Sequence, residues 1–216
     1  MKTNATHDVL SGNLAALGRA NPALREALAH APTGTLDLIE TNDGGVTADW
    51  NGRRLASKHQ PLEEAQRLFS EVDLGEVATV AVVGFGLGMH VEILARRLKK
   101  SGIVIVYEPD VALLKAVLSS IDVRDWVEDA NVLFVTEGND RNGLLERLAG
   151  MDAILMLGLR ILEHPPSRPR LADSAPTFTR MIADFASTAR MNVVTTLGRS
   201  AHTVANVLAN IEGYAL

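Results

Sequence analysis

A run of alternate glycines, GFGLGMH at 84–90, closes a Val-rich apolar stretch and opens directly onto a helical pattern. A turn of this kind has two chemical uses. Glycine at positions 84, 86 and 88 lets a ligand approach the main chain closely, and the amide hydrogens at the start of the helix attract an anion. A second group stands in step with it: Glu108 ends the next apolar stretch, 20 residues beyond Gly88. An acidic side chain there accepts hydrogen bonds from both hydroxyls of a ribose, at the carboxyl edge of a sheet where nucleotides bind. Gly84, Gly86, Gly88 and Glu108 are therefore the candidate ligand-binding residues.

The spacing narrows the ligand. A dinucleotide fingerprint needs glycine where this chain has Met89, and no Lys-Ser or Lys-Thr follows the glycines as a P-loop requires. The GxGxG spacing with a later acid resembles the first two motifs of S-adenosylmethionine methyltransferases, although Val82 stands where those enzymes usually carry an acidic residue. Two other readings stay open on the same residues. The glycines let a helix pack tightly over the strand, and Glu108-Pro109-Asp110 forms an N-terminal helix cap.

No catalytic set is expected elsewhere. Asp37, Glu40, Asp43 and Asp49 are scattered with nothing to pair them as acid and base, and no GxSxG elbow occurs. The six histidines have no HExxH or paired spacing and there is no cysteine, so no metal site is expected; each histidine reads as a surface or hydrogen-bonded residue. Arg96, Arg97, Lys99 and Lys100 cluster at a helix end, where cations suit the dipole, and read as a solvated end rather than a phosphate clamp. Asn192, Thr195, Thr196, Asn206 and Asn210 form a polar series that either caps helix ends or lines a cleft. No cofactor is implied.

These groups need elements to position them. The chain has 216 residues, 47% hydrophobic and 22% charged, which suits one globular domain with an appendage. A net charge of −5 argues against a nucleic-acid partner. No apolar window spans a membrane and MKTNATHDVL lacks a signal-peptide core, so the expected location is cytoplasmic.

Residues 1–59 are expected to form an appendage. Leu10, Leu14, Leu17, Leu24 and Leu28 fall at helical spacing, Asn21 before Pro22 reads as an N-cap, and short strands at 36–41 and 46–50 are joined by Asp43-Gly44 and followed by Asn51-Gly52. Residues 60–172 are expected to be a Rossmann-like core. After an amphipathic helix over 62–72, the runs 77–84, 103–108, 131–136 and 153–157 have the continuous apolar character of strands buried on both faces. Helical patterns over 89–100 and 110–122 separate them, predicting βαβ units and a doubly wound, mostly parallel α/β sheet. The proline-rich stretch 159–171 is expected to be a connector. Residues 173–216 are expected to be C-terminal helices, about 176–197 and then 201–211, with Val204, Val207, Leu208 and Ile211 on one face.

Five segments in order resemble the N-terminal domain of the motility-associated factor (Maf) family of flagellin glycosyltransferases, which act on nonulosonic acids. They are NLAALGRANPAL (13–24), LASKHQPLEEAQRLF (55–69, with Ser57, Pro61, Glu64 and Ala65), VVGFGLGMHVEIL (82–94) with IVIVYEPDVALLKAVL (103–118), ILEHPPSRPRL (161–171), and MNVVTTLGRSAHTVANVLANI (191–211). The resemblance implies a Rossmann-like accessory domain preceding a sialyltransferase-like domain that performs transfer and typically opens with Gly-Pro-Ser. The chain ends at Leu216 before such a segment, so it is expected to lack the catalytic domain, and no catalytic residue carries over. The implied partners are flagellin or a downstream or partner transferase domain. The alternatives are a methyltransferase-like protein that binds S-adenosylmethionine and a non-catalytic interaction module.

Overall fold

A computed structural model describes residues 2–17, 21–70, 73, 75 and 77–214, and the side chains of 2–7, 152, 197, 201, 202 and 204–214 lie outside what is described. The face expected from Val204, Val207, Leu208 and Ile211, and the polar Asn206 and Asn210, fall in that set, and Glu71 and Val72, the expected end of the helix over 62–72, lie outside the described residues altogether.

Four strands make the central sheet: β5 (Thr79–Val83), β6 (Ile103–Tyr107), β7 (Val132–Val135) and β8 (Leu159–Glu163), all parallel, in the spatial order β7-β6-β5-β8. Every residue of β5, β6 and β7 is buried, because helices cover both faces and the valine-rich runs are apolar on both. Alternate residues serve opposite layers. Val80, Val82, Val104, Val106 and Phe134 pack against Leu94 of α4 (Met89–Leu98) and Leu114 of α5 (Val111–Ser120). On that side Leu17 of α1 (Lys2–Leu17) and Leu24 and Leu28 of α2 (Pro22–His30) join the same cluster. Ala81, Val83, Ile105 and Tyr107 face Leu144 of α7 (Arg141–Arg147) and Phe178, Ile182 and Phe185 of α10 (Ala175–Tyr214). The molecule is a mixed α/β protein with a Rossmann-like parallel sheet.

Two small hairpins precede the sheet. β1 (Ile39–Glu40) pairs with β2 (Val46–Thr47), and β3 (Asp49–Trp50) pairs with β4 (Arg53–Arg54). Asn51 and Gly52 both have positive φ, 50° and 73°, as a two-residue hairpin turn of this hand requires. Asp43 accepts from Gly45 N and, across space, from Leu62 N at 3.0 Å, tying the first hairpin to the start of α3 (Pro61–Ser70).

Four expectations need correction. The run 153–157 is not a strand: it lies in the short helix α8 (Asp152–Met156) and the turn after it. The fourth strand is β8, drawn from the stretch expected to be a connector. Its exposed Arg160 and Glu163 mark it as an edge strand, wetter than the other three, and short apolar runs do not by themselves separate helix from strand. Asn21 stands at the N-cap of α2 as expected, but its side chain does not cap the helix; its Nδ2 donates to Val132 O at 3.0 Å and its Oδ1 accepts from Phe134 N at 2.7 Å, so it satisfies the open edge of β7 as a neighbouring strand would. The two C-terminal helices are one helix of 40 residues, uninterrupted at Gly198. α10 packs through Ala189 and then leaves the body, with Met191 and Val194 61% and 66% exposed. α6 (Arg124–Val127) and α9 (Arg168–Leu171) are short helical turns.

Candidate functional site

The chain runs outward from β5 through β6 to β7, then returns to lay β8 on the other side of β5. The reversal creates a switch point between the carboxyl ends of β5 and β8, where open α/β sheets bind ligands. The glycine turn sits there, and the register Val83↔Glu163 puts the residue after each strand side by side: Gly84 and His164.

Gly84, Gly86 and Gly88 have φ of +97°, +52° and +84°, a region that L side chains rarely adopt. They are also crowded. A Cβ on Gly84 would overlap Ser167, one on Gly86 would lie 2.5 Å from His164 Cε1 and 3.0 Å from Leu55 O, and one on Gly88 would lie 2.7 Å from the Phe85 ring. Gly84 and Gly86 thus bring the main chain close to the segment that follows β8, while Gly88 makes room for the Phe85 ring within the turn. The void bordered by Leu87, His90, His164 and Pro165 is about 10 Å³, room for about one water.

Two histidines plug the crevice. His90, on the first turn of α4, and His164 are both buried, and their rings stack 4.3 Å apart at 8°. His90 Nε2 donates to Gly84 O at 3.0 Å, which fixes its tautomer, and His164 Nδ1 shares a 2.8 Å hydrogen bond with Ser167 Oγ. Burial lowers the His90 pKa to about 4 against the opposing pull of the Gly84 carbonyl. Burial, then the repulsion a charged His164 would meet from a protonated His90 and from Arg170, holds His164 well below the usual imidazole range. Both rings are neutral near pH 7.

Glu108 has no solvent exposure. Its Oε1 accepts from Asp110 N at 3.0 Å and its Oε2 from Phe85 N at 3.2 Å, while Arg170 of α9 grips both oxygens, each at 2.6 Å. The carboxylate therefore joins the glycine turn, α5 and the segment after β8, and a ribose could reach it only by displacing Arg170. Asp110 accepts from Leu113 N at 2.9 Å as the N-cap of α5, and its other oxygen accepts from Trp50 Nε1 at 2.9 Å, so the cap arrangement open in the sequence is present.

The structure brings Gly84, Gly86 and Glu108 together around the Phe85 amide. His164, Ser167 and Arg170 were not singled out as site residues in the sequence. LRILE mixes apolar and charged residues without regular alternation, so it carried little local signal; its pairing with β5 is what places the following His-Pro at the sheet's carboxyl edge. The basic cluster at the end of α4 is engaged locally: Arg96 pairs with Glu92 at 2.9 Å and with Asp125, and Lys100 donates to Ala130 O. Thr195 and Thr196 donate back to their own helix carbonyls.

No family model matches the chain, and no curated protein matches it. Among solved structures it is similar to the MAf glycosyltransferase from Magnetospirillum magneticum AMB-1, with a TM-score of 0.54 and 14% sequence identity. The match covers 88% of this chain and 35% of that one, so the chain spans about a third of the length of the structure it matches. At that identity the likeness establishes the fold. No helix among the described residues is long and apolar enough to cross a membrane.

Proposed function

We propose that this chain is an N-terminal, non-catalytic domain of the Maf type, acting in the cytoplasm in glycosylation of flagellin with nonulosonic acids and thereby in motility. Its main support is one convergence. The glycine turn, the Glu-Pro-Asp segment and the His-Pro segment, which individually resemble the family, meet in a single assembly held by the Glu108–Arg170 pair and the His90–His164 stack. The fold likeness to a MAf glycosyltransferase adds to it. In this proposal Gly84, Gly86, Gly88 and Glu108 form the interior of a latch that fixes the base of α10. The latch makes the domain a stiff platform for flagellin or for a partner transferase domain.

The test is to delete the coding region in the source cell and weigh intact flagellin by mass spectrometry. Loss of the nonulosonic-acid mass increment is expected, and unchanged flagellin refutes the proposal. Calorimetry of the purified chain with S-adenosylmethionine is expected to show no binding. Binding that vanishes in Glu108→Ala would overturn the proposal in favour of a methyl-donor site. Transfer of a nonulosonic acid by the purified chain alone would overturn its non-catalytic part.

A further inference from the structure

Beside the plugged switch point lies a second concavity that the latch does not use. It is an open cleft of about 720 Å³ between the loop after β4, the start of α3 and the Pro165-Pro166 turn, within the range typical of small-molecule sites. Arg54, Lys58, Arg67 and Arg168 line it, opposed by Glu64 and Glu163. The four cations are matched by as many carboxylates, because Asp49 and Glu63 pair with Arg54 and Arg67 from beyond the lining, so the cleft offers concentrated N–H donors rather than a net positive charge.

The cations are not spent on strong partners. Arg54 pairs with Asp49 at 2.9 Å, Arg67 with Glu63 at 3.0 Å and Arg168 with Glu163 at 2.9 Å, all partly exposed pairs of the kind that contribute little and can be redirected cheaply. Lys58 has no carboxylate partner among the described residues. Glu64 is held in place, its Oε2 accepting from Ser57 N at 2.7 Å, and it keeps its negative charge, so an anion in the cleft must seat on the side of Lys58 and Arg168. Polar groups complete the wall: Ser57 Oγ accepts from Gln60 N at 3.3 Å and keeps its own hydrogen to donate, and Gln60 donates to Glu63 while its amide oxygen stays available to accept. Among the described residues that line the cleft, none is aromatic, so a nucleobase would find only guanidinium planes to stack on.

We propose that this cleft binds a phosphate monoester of a small polyhydroxylated molecule, a sugar phosphate or polyol phosphate. Lys58, Arg54 and Arg168 hold the phosphate, the guanidinium groups suiting its oxygens through paired N–H donors, and Ser57 and Gln60 take hydroxyls. The cleft lies at the carboxyl end of β8, the ligand-binding side of such sheets, but outside the crevice that the histidines fill. This site stands or falls separately from the transferase reading, because its test needs no flagellin.

The experiment is calorimetric titration of the full chain with glucose 6-phosphate, glucose, inorganic phosphate and AMP at low salt. Saturable binding of glucose 6-phosphate is expected, tighter than phosphate or AMP and absent for glucose. Lys58→Glu is expected to weaken it at least about tenfold. Lys58 is exposed, so the melting temperature of that variant should match the parent and exclude misfolding as the cause. Arg168→Lys keeps the charge but loses the planar fork, and is expected to weaken binding less than Lys58→Glu. Absence of saturable binding, binding indifferent to Lys58→Glu, or phosphate or AMP binding as tightly as glucose 6-phosphate would overturn the proposal.

Discussion

Arg170 is the residue whose removal should cost the fold most for the least change in volume. Its guanidinium is 17% exposed and holds both oxygens of Glu108, which is 0% exposed. Arg170→Met keeps much of the side-chain bulk but leaves a buried carboxylate without its counter-charge. Breaking a buried pair from one side costs about 3–5 kcal/mol. The amides of Phe85 and Asp110 still serve the carboxylate and Arg170 is not fully enclosed, so the low end applies, about 3 kcal/mol. In urea unfolding at pH 7, with a slope near ~2 kcal/mol/M, the midpoint should fall by about 1.5 M. The second arm is the double variant Glu108→Gln with Arg170→Met. A neutral amide no longer demands a cation, so the double should cost at least about 2 kcal/mol less than the sum of the single variants. A loss below about 1 kcal/mol for Arg170→Met, or strict additivity in the cycle, would refute the account of this pair as an interior latch.

The glycine turn gives a matched comparison: Gly86→Ala should lose about 3 kcal/mol or more in chemical denaturation, because its Cβ meets His164 and Leu55 O, whereas Gly44→Ala, also at positive φ but with open space around it, should lose only about 1 kcal/mol. His90 binds protons less readily folded than unfolded, so its contribution is present above pH 6.5 and is lost as pH falls from 6.5 towards 4. Urea midpoints measured across that window should reveal a loss of about 3 kcal/mol for this group, with His164 adding in the same direction, and His90→Asn should flatten the slope. Asn21→Ala, which unpairs the Phe134 amide and the Val132 carbonyl, should cost about 1–3 kcal/mol and raise hydrogen exchange at Phe134, and an unchanged exchange rate would contradict the edge-pairing role.

The sheet was legible where its physics is one-dimensional. Burial on both faces demands unbroken apolar runs, and β5, β6 and β7 carry them. It was illegible at β8, where an edge strand keeps Arg160 and Glu163 in water and four prolines nearby suggest a loop, while the apolar 153–157 suits a buried helix equally well. The candidate site divides in the same way. The glycines and Glu108 could be located because a strand–turn–helix sets their spacing, and the cap built by Asp110 was visible for the same reason. Arg170 stands 62 positions from Glu108, and the histidines without paired spacing in the chain are stacked in space. Partnerships of that range follow from the return of β8 to β5, which no local pattern encodes.

That return also sets an order of assembly. β5, β6 and β7 are made first and can pair in sequence, but the free edge of β5 waits for Leu159–Glu163, and Glu108 waits still longer for Arg170. During synthesis there is thus an interval in which an unpaired valine-rich edge and a carboxylate without its cation are both present, and exposed apolar edges recruit other chains. A chain interrupted between residues 136 and 158 would be held in that interval permanently. Such fragments, rather than full-length protein with a surface substitution, are the species that chaperones and proteases would have to clear.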